Sequence, residues 1–336
     1  MTQSLAIVGA GALGQAFAAH LVAAGNDAVL VGTPRSAAAL LDAGRICLTG
    51  ASETEVPVAP PPGRSGAATV ISSAVELPQD AGVLFTTKAH QLAEACTAVR
   101  ESRAVAWVAG VQNGLLKDDI LVAAFGAERV VGMATIYSAG RRAGGEVAVS
   151  SLGRTYVGEL DGSASERSTR LAQMLCAAGI PTEHEQDIRS VTWSKACNAA
   201  GVFGVSVLTR TTGAELLGDP DLLRAYLSLV RETAAIASAN GVVLGDYFGF
   251  PIKTFVERTD EESVAARGPL PPPRAPRLFP SMTQDLRAGR SLEAEEIFGD
   301  LVERADRAEI AVPRLRFVRD LSRGIVRLRE QGTALE

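Results

Sequence analysis

The feature that most constrains the fold is an apolar strand that runs directly into a glycine-rich turn at the start of the chain. Leu5–Val8 is a short apolar run, glycines follow at positions 9, 11 and 14, and an apolar helical pattern then continues to Gly25. Short apolar runs that alternate with helical segments predict a mostly parallel sheet covered by helices on both faces. The further runs of this kind lie at residues 28–31, 68–71, 82–86, 104–108 and 130–134.

The turn itself has the spacing of a dinucleotide-binding fingerprint. Gly9 permits the tight turn, Gly11 lets a pyrophosphate approach the backbone, and Gly14 lets the helix pack closely on the sheet. The N-terminus of the helix adds N–H groups and a partial positive charge for phosphates. The alternative is a tight strand-to-helix turn without a ligand. The predicted cofactor-binding residues of the turn are Gly9, Ala10, Gly11, Ala12, Leu13 and Gly14.

The end of the second strand distinguishes between the two nicotinamide dinucleotides. An acidic residue there would hold the ribose 2′-hydroxyl of NAD. The chain instead has Thr33 and Arg35, with no carboxylate. A guanidinium can pair with a 2′-phosphate and a hydroxyl can hydrogen-bond it, so these residues favour NADP. A solvated surface arginine is the alternative for Arg35.

The pattern changes near Glu185, where strand signals fade and long helical patterns cover residues 188–209, 219–240 and 292–309. We therefore predict a Rossmann-type domain over residues 1–185 and an all-α domain over residues 186–336. Two segments lack a helical or strand pattern and are expected to be loops. They are the Pro/Gly-rich segment 53–66 and an inserted Pro-rich segment at about 245–280.

Composition and charge exclude several classes of protein. The 336 residues include 33 Lys+Arg and 38 Asp+Glu, a formal net charge of −5, which gives no basic surface for nucleic acid or an anionic membrane. The four cysteines and three histidines show no metal-ligand spacing, so no metal site is predicted. The first 26 residues are uncharged, but glycines interrupt them and a basic start is absent. We therefore expect a cytoplasmic protein without a membrane segment.

Six motifs, distributed through most of the chain, together resemble a known family. They are IVGAGALG at 7–14, TKAHQ at 87–91, QNGL at 112–115, GRT at 153–155 with GEL at 158–160, WSK at 193–195 and SMTQDL at 281–286. In this order they are similar to the ketopantoate reductase (2-dehydropantoate 2-reductase) family. The resemblance implies a Rossmann domain, a helical domain and an active site between them. It also implies reduction of a small-molecule 2-oxo acid to a 2-hydroxy acid with NADPH, with pantothenate biosynthesis as one setting for that reaction.

The resemblance assigns the catalytic residues. Hydride delivery to a ketone leaves charge on its oxygen, so a proton donor must stand beside that oxygen. Lys195, in the WSK motif, resembles the family's general acid, and Glu293 matches its carboxylate. Ser281 resembles a residue that binds the substrate carboxylate, with a helix N-cap as the structural alternative.

Three further residues resemble ligands of the cofactor or the substrate. Lys88 and Gln91 follow a strand and match residues that line the NADP site. Asn113 matches a residue between the nicotinamide ribose and the substrate, although Asn-Gly is also an intrinsic turn former.

The chain departs from the family at two substrate-binding positions. The family usually has asparagines four and eight residues after the lysine, where this chain has Ala199 and Phe203. Asn198 lies within roughly 60° of Lys195 on a helix and is predicted to replace one amide. Each lost hydrogen bond to a polar substrate costs about 1 kcal/mol, and an aromatic side chain favours a substrate with an apolar group. Phe203 is therefore a predicted substrate-binding residue.

Two other functions are compatible with these residues. The first is reduction of an imine or another carbonyl compound with NADP, since the same acid can serve an imine nitrogen. The second is a non-catalytic NADP-binding protein whose substrate site has decayed. A homodimer is compatible with every one of these functions, and the sequence alone does not set the oligomeric state.

Overall fold

A computed structural model describes residues 5–142, 145–272 and 277–332. The chain divides into two compact units. The first comprises Met1–Gln112 and Lys117–Arg189, and the second comprises Asn113–Leu116 and Ser190–Glu336. The short Asn113–Leu116 segment therefore belongs to the second unit, although the sequence around it belongs to the first.

The first unit is built on strands whose residues are largely buried. The strands are β1 (Leu5–Val8), β2 (Ala28–Val31), β3 (Arg45–Gly50), β4 (Thr54–Ala59), β5 (Ala68–Ile71), β6 (Ala81–Phe85), β7 (Val105–Gly110), β8 (Val131–Thr135), β9 (Ser138–Arg141), β10 (Val147–Ser151), β11 (Thr155–Glu159) and β12 (Thr182–His184). Its helices are α1 (Ala12–Ala23), α2 (Pro34–Ala43), α3 (Leu92–Ser102), α4 (Leu116–Phe125) and α5 (Glu166–Ala177).

Within the described residues, nine strands form one sheet in the order β7-β6-β1-β2-β5-β4-β3-β10-β9. Neighbours from β7 to β4 are all parallel, whereas β3 is antiparallel to β4 and β9 is antiparallel to β10. Strands β1, β2 and β6 are buried along their whole length, as expected of central parallel strands. The predicted mostly parallel sheet is therefore confirmed.

A second sheet has the order β12-β11-β8, and a parallel bridge joins Val108 of β7 to Val130 just before β8. Helix α1 is buried at every position from Gly14 to Val22. It packs on β1 and β2 and also on β9 and β10, so the large sheet curves around it. Because the carboxyl ends of parallel strands share one edge, the segments after β1, β2 and β6 come together there.

The second unit is mainly helical, which confirms the predicted fold class. Its longer elements are α6 (Ile188–Thr209, whose first two residues belong to the first unit), α8 (Pro220–Ala239), α12 (Asp300–Arg307) and α13 (Pro313–Glu330). Its shorter elements are α7 (Gly213–Gly218), α9 (Ile252–Glu257), α10 (Asp260–Ala265), α11 (Ser281–Arg287), a π-helical turn (Glu295–Gly299) and a hairpin of β13 (Asp246–Tyr247) and β14 (Phe250–Pro251). No helix of the described residues has both the length and the apolarity to cross a membrane.

Parts of both segments expected to be loops have regular structure, so that expectation was wrong for those parts. Residues 54–59 form β4, whose buried positions Val56 and Val58 alternate with polar or proline positions. The 245–280 segment contains the hairpin, α9 and α10, and α10 begins with a capping box between Thr259 and Glu262. Both helices pack on α8, and their short length left no long helical period in the sequence. Residues 273–276 of this segment lie outside the described residues.

Candidate active site

The three glycines of the first turn are required for different reasons. Gly9 has φ +121°, and a Cβ atom there would lie 2.7 Å from the backbone N of Thr87. A Cβ on Gly14 would lie 2.0 Å from the carbonyl O of Gly9. Apart from its two chain neighbours, no described residue has an atom within 4 Å of the Cβ position of Gly11. Packing therefore explains Gly9 and Gly14, whereas Gly11 faces open space of the kind that a bound pyrophosphate needs.

The start of α1 favours an anion. Gly11 is the N-cap residue of α1 and makes no side-chain cap, and the first helical turn of α1 contains no acidic residue. The N–H groups and positive dipole end of α1 are therefore not neutralised by a side chain of this turn. Thr86, after β6, donates from Oγ1 to the carbonyl O of Gly9 at 2.8 Å and holds the turn against the sheet edge. The residues of this turn fit a dinucleotide phosphate.

At the end of β2, Thr33 caps α2. Its Oγ1 accepts a hydrogen bond from the backbone N of Ser36 at 3.2 Å. Arg35 is exposed in the first turn of α2, which also has no acidic residue. The predicted capacity of Thr33 to bind a 2′-phosphate is therefore shared with a structural role, while Arg35 is accessible.

The residues after β6 and β7 lie at the same edge of the sheet. Lys88 is half-buried ahead of a 3₁₀ turn (Ala89–Gln91), and Gln91 is exposed at its end. Gln112 donates from Nε2 to the carbonyl oxygens of Phe85 and Thr87 at 3.1 and 3.0 Å. These bonds fix the chain where β7 leads into the Gln-Asn-Gly turn.

The Asn113 turn packs on the segment that contains Glu293. Gly114 has φ +86°, and a Cβ atom there would lie 2.9 Å from the carbonyl O of Glu296. Glu296 belongs to the π-helical turn, and the carbonyl O of Glu293 accepts a hydrogen bond from the N of Ile297 in that turn at 3.2 Å. The structure therefore brings the half-buried Asn113 and the buried Glu293 into one region of the second unit.

Lys195 lies in the second turn of α6, where its neighbours are held firmly. It is half-buried between the buried Ser194 and Ala196. The Oγ of Ser194 accepts a hydrogen bond from the N of Gly245 at 3.1 Å, and the Arg304 guanidinium lies 5.9 Å from the Trp193 ring centroid. The hairpin that follows Gly245 is also attached to α6, since the Tyr247 hydroxyl donates to Ser190 Oγ at 2.8 Å.

Asn198 is positioned by a tyrosine that the sequence did not single out. The Tyr226 hydroxyl donates to Asn198 Oδ1 at 2.9 Å, and the Tyr226 ring lies against Gly201, where a Cβ would be 2.4 Å from the ring. Burial raises the pKa of Tyr226, so the hydroxyl stays protonated and remains a donor. The Asn198 oxygen therefore already accepts one hydrogen bond from within the second unit. Ala199 and Phe203 are both buried on the same helix.

Ser281 is the exposed first residue of α11, whose N-cap residue is Pro280. The structural alternative of an N-capping serine is therefore wrong. Two residues later, Thr283 donates from Oγ1 to Ser206 Oγ at 2.8 Å, and both residues are fully buried. This bond attaches the helix of Ser281 to α6.

Burial distinguishes the glutamates near the end of the chain. Glu293 is 5% exposed, whereas Glu295 lies at the surface in an ion pair with Arg323. The hydrogen bonds from Arg323 lower the pKa of Glu295 and keep it ionised. Glu295 therefore has a structural partner on α13, and Glu293 is the carboxylate that the fold places inside.

Two of the cysteines and one of the histidines lie in buried, structural surroundings. Burial raises the pKa of Cys96 to about 12 and also raises that of Cys197 on α6, so neither thiol is ionised at neutral pH. Burial lowers the pKa of His20, which contacts the carbonyl O of Ala178 and the Tyr137 hydroxyl. Among the described residues no group of three His, Cys, Asp or Glu side chains is arranged to hold a metal ion.

The predicted site residues thus fall into two groups. The first unit contains the predicted cofactor-binding residues, which are the glycine turn (Gly9–Gly14), Thr33, Arg35, Lys88 and Gln91. The second unit contains the predicted catalytic and substrate-binding residues, which are Asn113, Lys195, Asn198, Phe203, Ser281 and Glu293. Sequence reasoning missed Thr86 and Tyr226, because a lone hydroxyl residue far from its partner leaves no local pattern.

Comparison with known proteins identifies the family. The family model described as "Ketopantoate reductase PanE/ApbA" matches residues 5–162, and the family model described as "Ketopantoate reductase PanE/ApbA C terminal" matches residues 187–326. The 2-dehydropantoate 2-reductase of Archaeoglobus fulgidus is 27% identical over 324 residues, which cover 96% of this chain and 98% of that protein.

Two solved structures have the same fold. One is a PanE/ApbA family ketopantoate reductase from Ralstonia eutropha JMP134, with a TM-score of 0.76 and 24% identity. The other is a D-mandelate dehydrogenase solved with NADH and anilino(oxo)acetate, with a TM-score of 0.76 and 19% identity. Each likeness covers 96% of this chain and 98% of the other. The chain therefore belongs to the ketopantoate reductase family, whose members are oxidoreductases that act on a carbonyl group.

Proposed function

We propose that this protein reduces a 2-oxo acid to the corresponding 2-hydroxy acid with NADPH, and that Lys195 is the general acid. The observation that carries the proposal is the setting of Lys195. It is the only charged residue between Ser190 and Thr209, and it is half-buried in a helix whose adjacent residues are held by hydrogen bonds and ring contacts. A cation kept in such a place is suited to stabilise charge on a substrate oxygen.

The residues divide the chemistry between them. A bound NADPH supplies the hydride that the carbonyl carbon receives. The ammonium of Lys195 polarises the carbonyl, gives a proton to its oxygen as the hydroxyl forms, and regains a proton from solvent. Glu293, as a buried carboxylate, orients Lys195 or accepts a hydrogen bond from the product hydroxyl. Ser281, Asn198 and Asn113 supply hydroxyl and amide groups for the substrate.

The nicotinamide cofactor follows from the family, and the choice of NADP is part of the proposal. Arg35 is exposed at the start of α2, and the first turn of that helix contains no carboxylate that would prefer a ribose hydroxyl. Lys88 and Gln91 at the same sheet edge are further candidate ligands. The open Gly11 position supports a pyrophosphate at the start of α1.

We further propose a substrate with an apolar or aromatic group on the carbonyl. Ala199 and Phe203 are buried on the helix of Lys195, where neither can supply an amide to a polar substrate. The D-mandelate dehydrogenase of similar fold is, by its name, an enzyme for an aromatic 2-hydroxy acid, which supports including that class in the test.

A substrate panel tests both parts of the proposal. NADPH and NADH oxidation would be followed with ketopantoate, phenylglyoxylate, branched-chain 2-oxo acids, pyruvate and a cyclic imine. We expect the highest kcat/KM with NADPH and an apolar 2-oxo acid. Efficient turnover of ketopantoate alone would contradict the altered substrate. Binding of NADPH without turnover of any 2-oxo acid would contradict the reductase.

We also propose that the protein forms a homodimer through α13. Phe317, Leu321 and Leu328 are exposed at spacings of four and seven residues, which places them on one helix face, and Gly324 leaves open space between them. Ion pairs border this face, including Arg323–Glu295, so it has the apolar centre and polar rim of an interface.

Light scattering tests the proposed dimer. The wild type should give twice the chain mass, and Phe317→Glu should give the monomer mass. A monomeric wild type would contradict the proposal.

A further inference from the structure

An arginine far along the chain reaches the glycine turn. The strand β9 lies along α1, because the preceding Tyr137 contacts Phe17 of α1 at a ring-centroid distance of 5.6 Å and His20 Nε2 at 3.1 Å. Arg141, the last residue of β9, donates from Nη2 to the carbonyl O of Ala10 at 2.5 Å. Its backbone position is set by pairing with Val147 of β10.

The hydrogen bond to Ala10 does not by itself account for an arginine. The same carbonyl also accepts a bond from Nε2 of Gln15, at 2.9 Å, and Gln15 is buried at 2% exposure. A guanidinium carries five N–H donors, and the contact with Ala10 uses one of them. The Arg141 side chain therefore brings donors and a charge to the turn beyond what the carbonyl needs.

Among the described residues, no carboxylate neutralises the charge of Arg141. Across the part of the chain that the structure describes, Arg141 forms no ion pair with a carboxylate. It lies beside the N-terminus of α1, which has no acidic residue in its first turn. Two positive features thus stand together next to the open Gly11 position, and an anion is the group that both would stabilise.

We propose that Arg141 binds a phosphate group of the nicotinamide dinucleotide, in concert with the glycine turn. The inference depends on the proposed cofactor and adds a ligand from the far edge of the sheet. The anion is either the pyrophosphate, which NADPH and NADH share, or the 2′-phosphate, which NADPH alone carries. In both cases the chemistry is a guanidinium that donates to phosphate oxygens.

The test is a titration of NADPH and NADH into the cofactor-free protein, followed by nucleotide fluorescence. Arg141→Gln should weaken NADPH binding about ten-fold or more, the size expected for loss of a charged hydrogen bond. Arg141→Lys should recover part of the affinity. An equal loss for both nucleotides supports the pyrophosphate, and a loss for NADPH alone supports the 2′-phosphate.

Two matched controls separate this role from others. Arg142→Gln removes the same charge at the next, exposed position, and its affinity should stay within about two-fold of the wild type. Gln15→Met removes the other donor to Ala10 and tests whether the affinity depends only on the shape of the turn. Thermal melting of each cofactor-free variant checks the fold.

Three results would overturn the inference. They are unchanged affinity in Arg141→Gln, a loss in Gln15→Met as large as in Arg141→Gln, and an equal loss in Arg142→Gln. If the wild type bound neither nucleotide, the proposed cofactor would be refuted and the inference with it. If the wild type binds and Arg141→Gln binds equally, the inference alone is refuted.

Discussion

Alanine substitution at two glycines of one turn should have opposite consequences for stability and binding. Gly11 has φ −75° and ψ −174°, an extended conformation that alanine adopts without strain, and its Cβ position is open. Gly14 is helical, and a Cβ there would lie 2.0 Å from the Gly9 carbonyl O and 2.6 Å from Thr86 Oγ1. Gly11→Ala should therefore impair the cofactor site, and Gly14→Ala should impair the fold.

The magnitudes follow from these geometries. In Gly11→Ala, lower entropy of the unfolded chain stabilises by about 0.4–1 kcal/mol. Alanine is a poorer N-cap residue than glycine, which offsets this stabilisation by a similar amount, so the free energy of unfolding should change by less than about 1 kcal/mol. A methyl group in the phosphate's path should weaken NADPH binding at least about ten-fold, since charged hydrogen bonds contribute about 1.5–3 kcal/mol each. In Gly14→Ala, overpacking should cost about 1–3 kcal/mol or more.

The assay combines thermal melting of the cofactor-free variants with fluorescence titration of NADPH. The melting midpoint should be nearly unchanged in Gly11→Ala and should fall by about 2 °C or more in Gly14→Ala. Wild-type affinity for NADPH in Gly11→Ala would refute the reasoning, because the open position would then not be the one that the pyrophosphate approaches. A strongly destabilised Gly11→Ala would show that packing, and not a ligand, requires this glycine.

Three further predictions test other residues. Lys195→Ala should lower kcat with the best 2-oxo acid by at least about 100-fold while the NADPH dissociation constant stays within about two-fold, and retained turnover would remove its role as the acid. Arg35→Ala should weaken NADPH about ten-fold in the same titration without affecting NADH, and an equal loss would contradict recognition of the 2′-phosphate. Burial would raise the pKa of Glu159, but hydrogen bonds from Arg167 and Ser165 outweigh burial and lower it. The ionised Glu159 therefore stabilises the fold at pH values above the ordinary glutamate pKa of 4.5, and this stabilisation is lost as the pH falls below that value. Glu159→Gln should have a lower melting temperature than the wild type at neutral pH, and its melting temperature should fall less on acidification. Parallel melting curves would contradict this assignment.

The fold was predictable where a pattern was long or strongly apolar. The central strands β1, β2 and β5 and helix α6 have the predicted bounds, because burial on both faces of a strand requires a continuous apolar run. The strand β4 was missed because its first half is not a continuous apolar run and Pro57 interrupts the pattern. Helices α9 and α10 were missed because six residues are too few to show a helical period.

Some features of the candidate site were likewise predictable from the sequence, and others were not. The sequence motifs located Lys195, Glu293 and the glycine turn, but they did not show that Glu293 is buried while Glu295 is paired with Arg323. Nor did they show that the Asn198 oxygen is occupied by Tyr226. Each of these two contacts joins residues 28 positions apart, a separation that no local sequence pattern reveals.

What the sequence determined by itself is the turn between β1 and α1, the parallel sheet behind it and the helix that carries Lys195. Their signals are local, because strand burial, helical period and glycine spacing are all properties of a few consecutive residues. Only the tertiary structure decided that Gly11 is open while Gly14 is packed, and that Arg141 reaches Ala10 from the far edge of the sheet. The reason is that the large sheet curves around α1, and such a curve brings together residues whose separation along the chain carries no information about their distance.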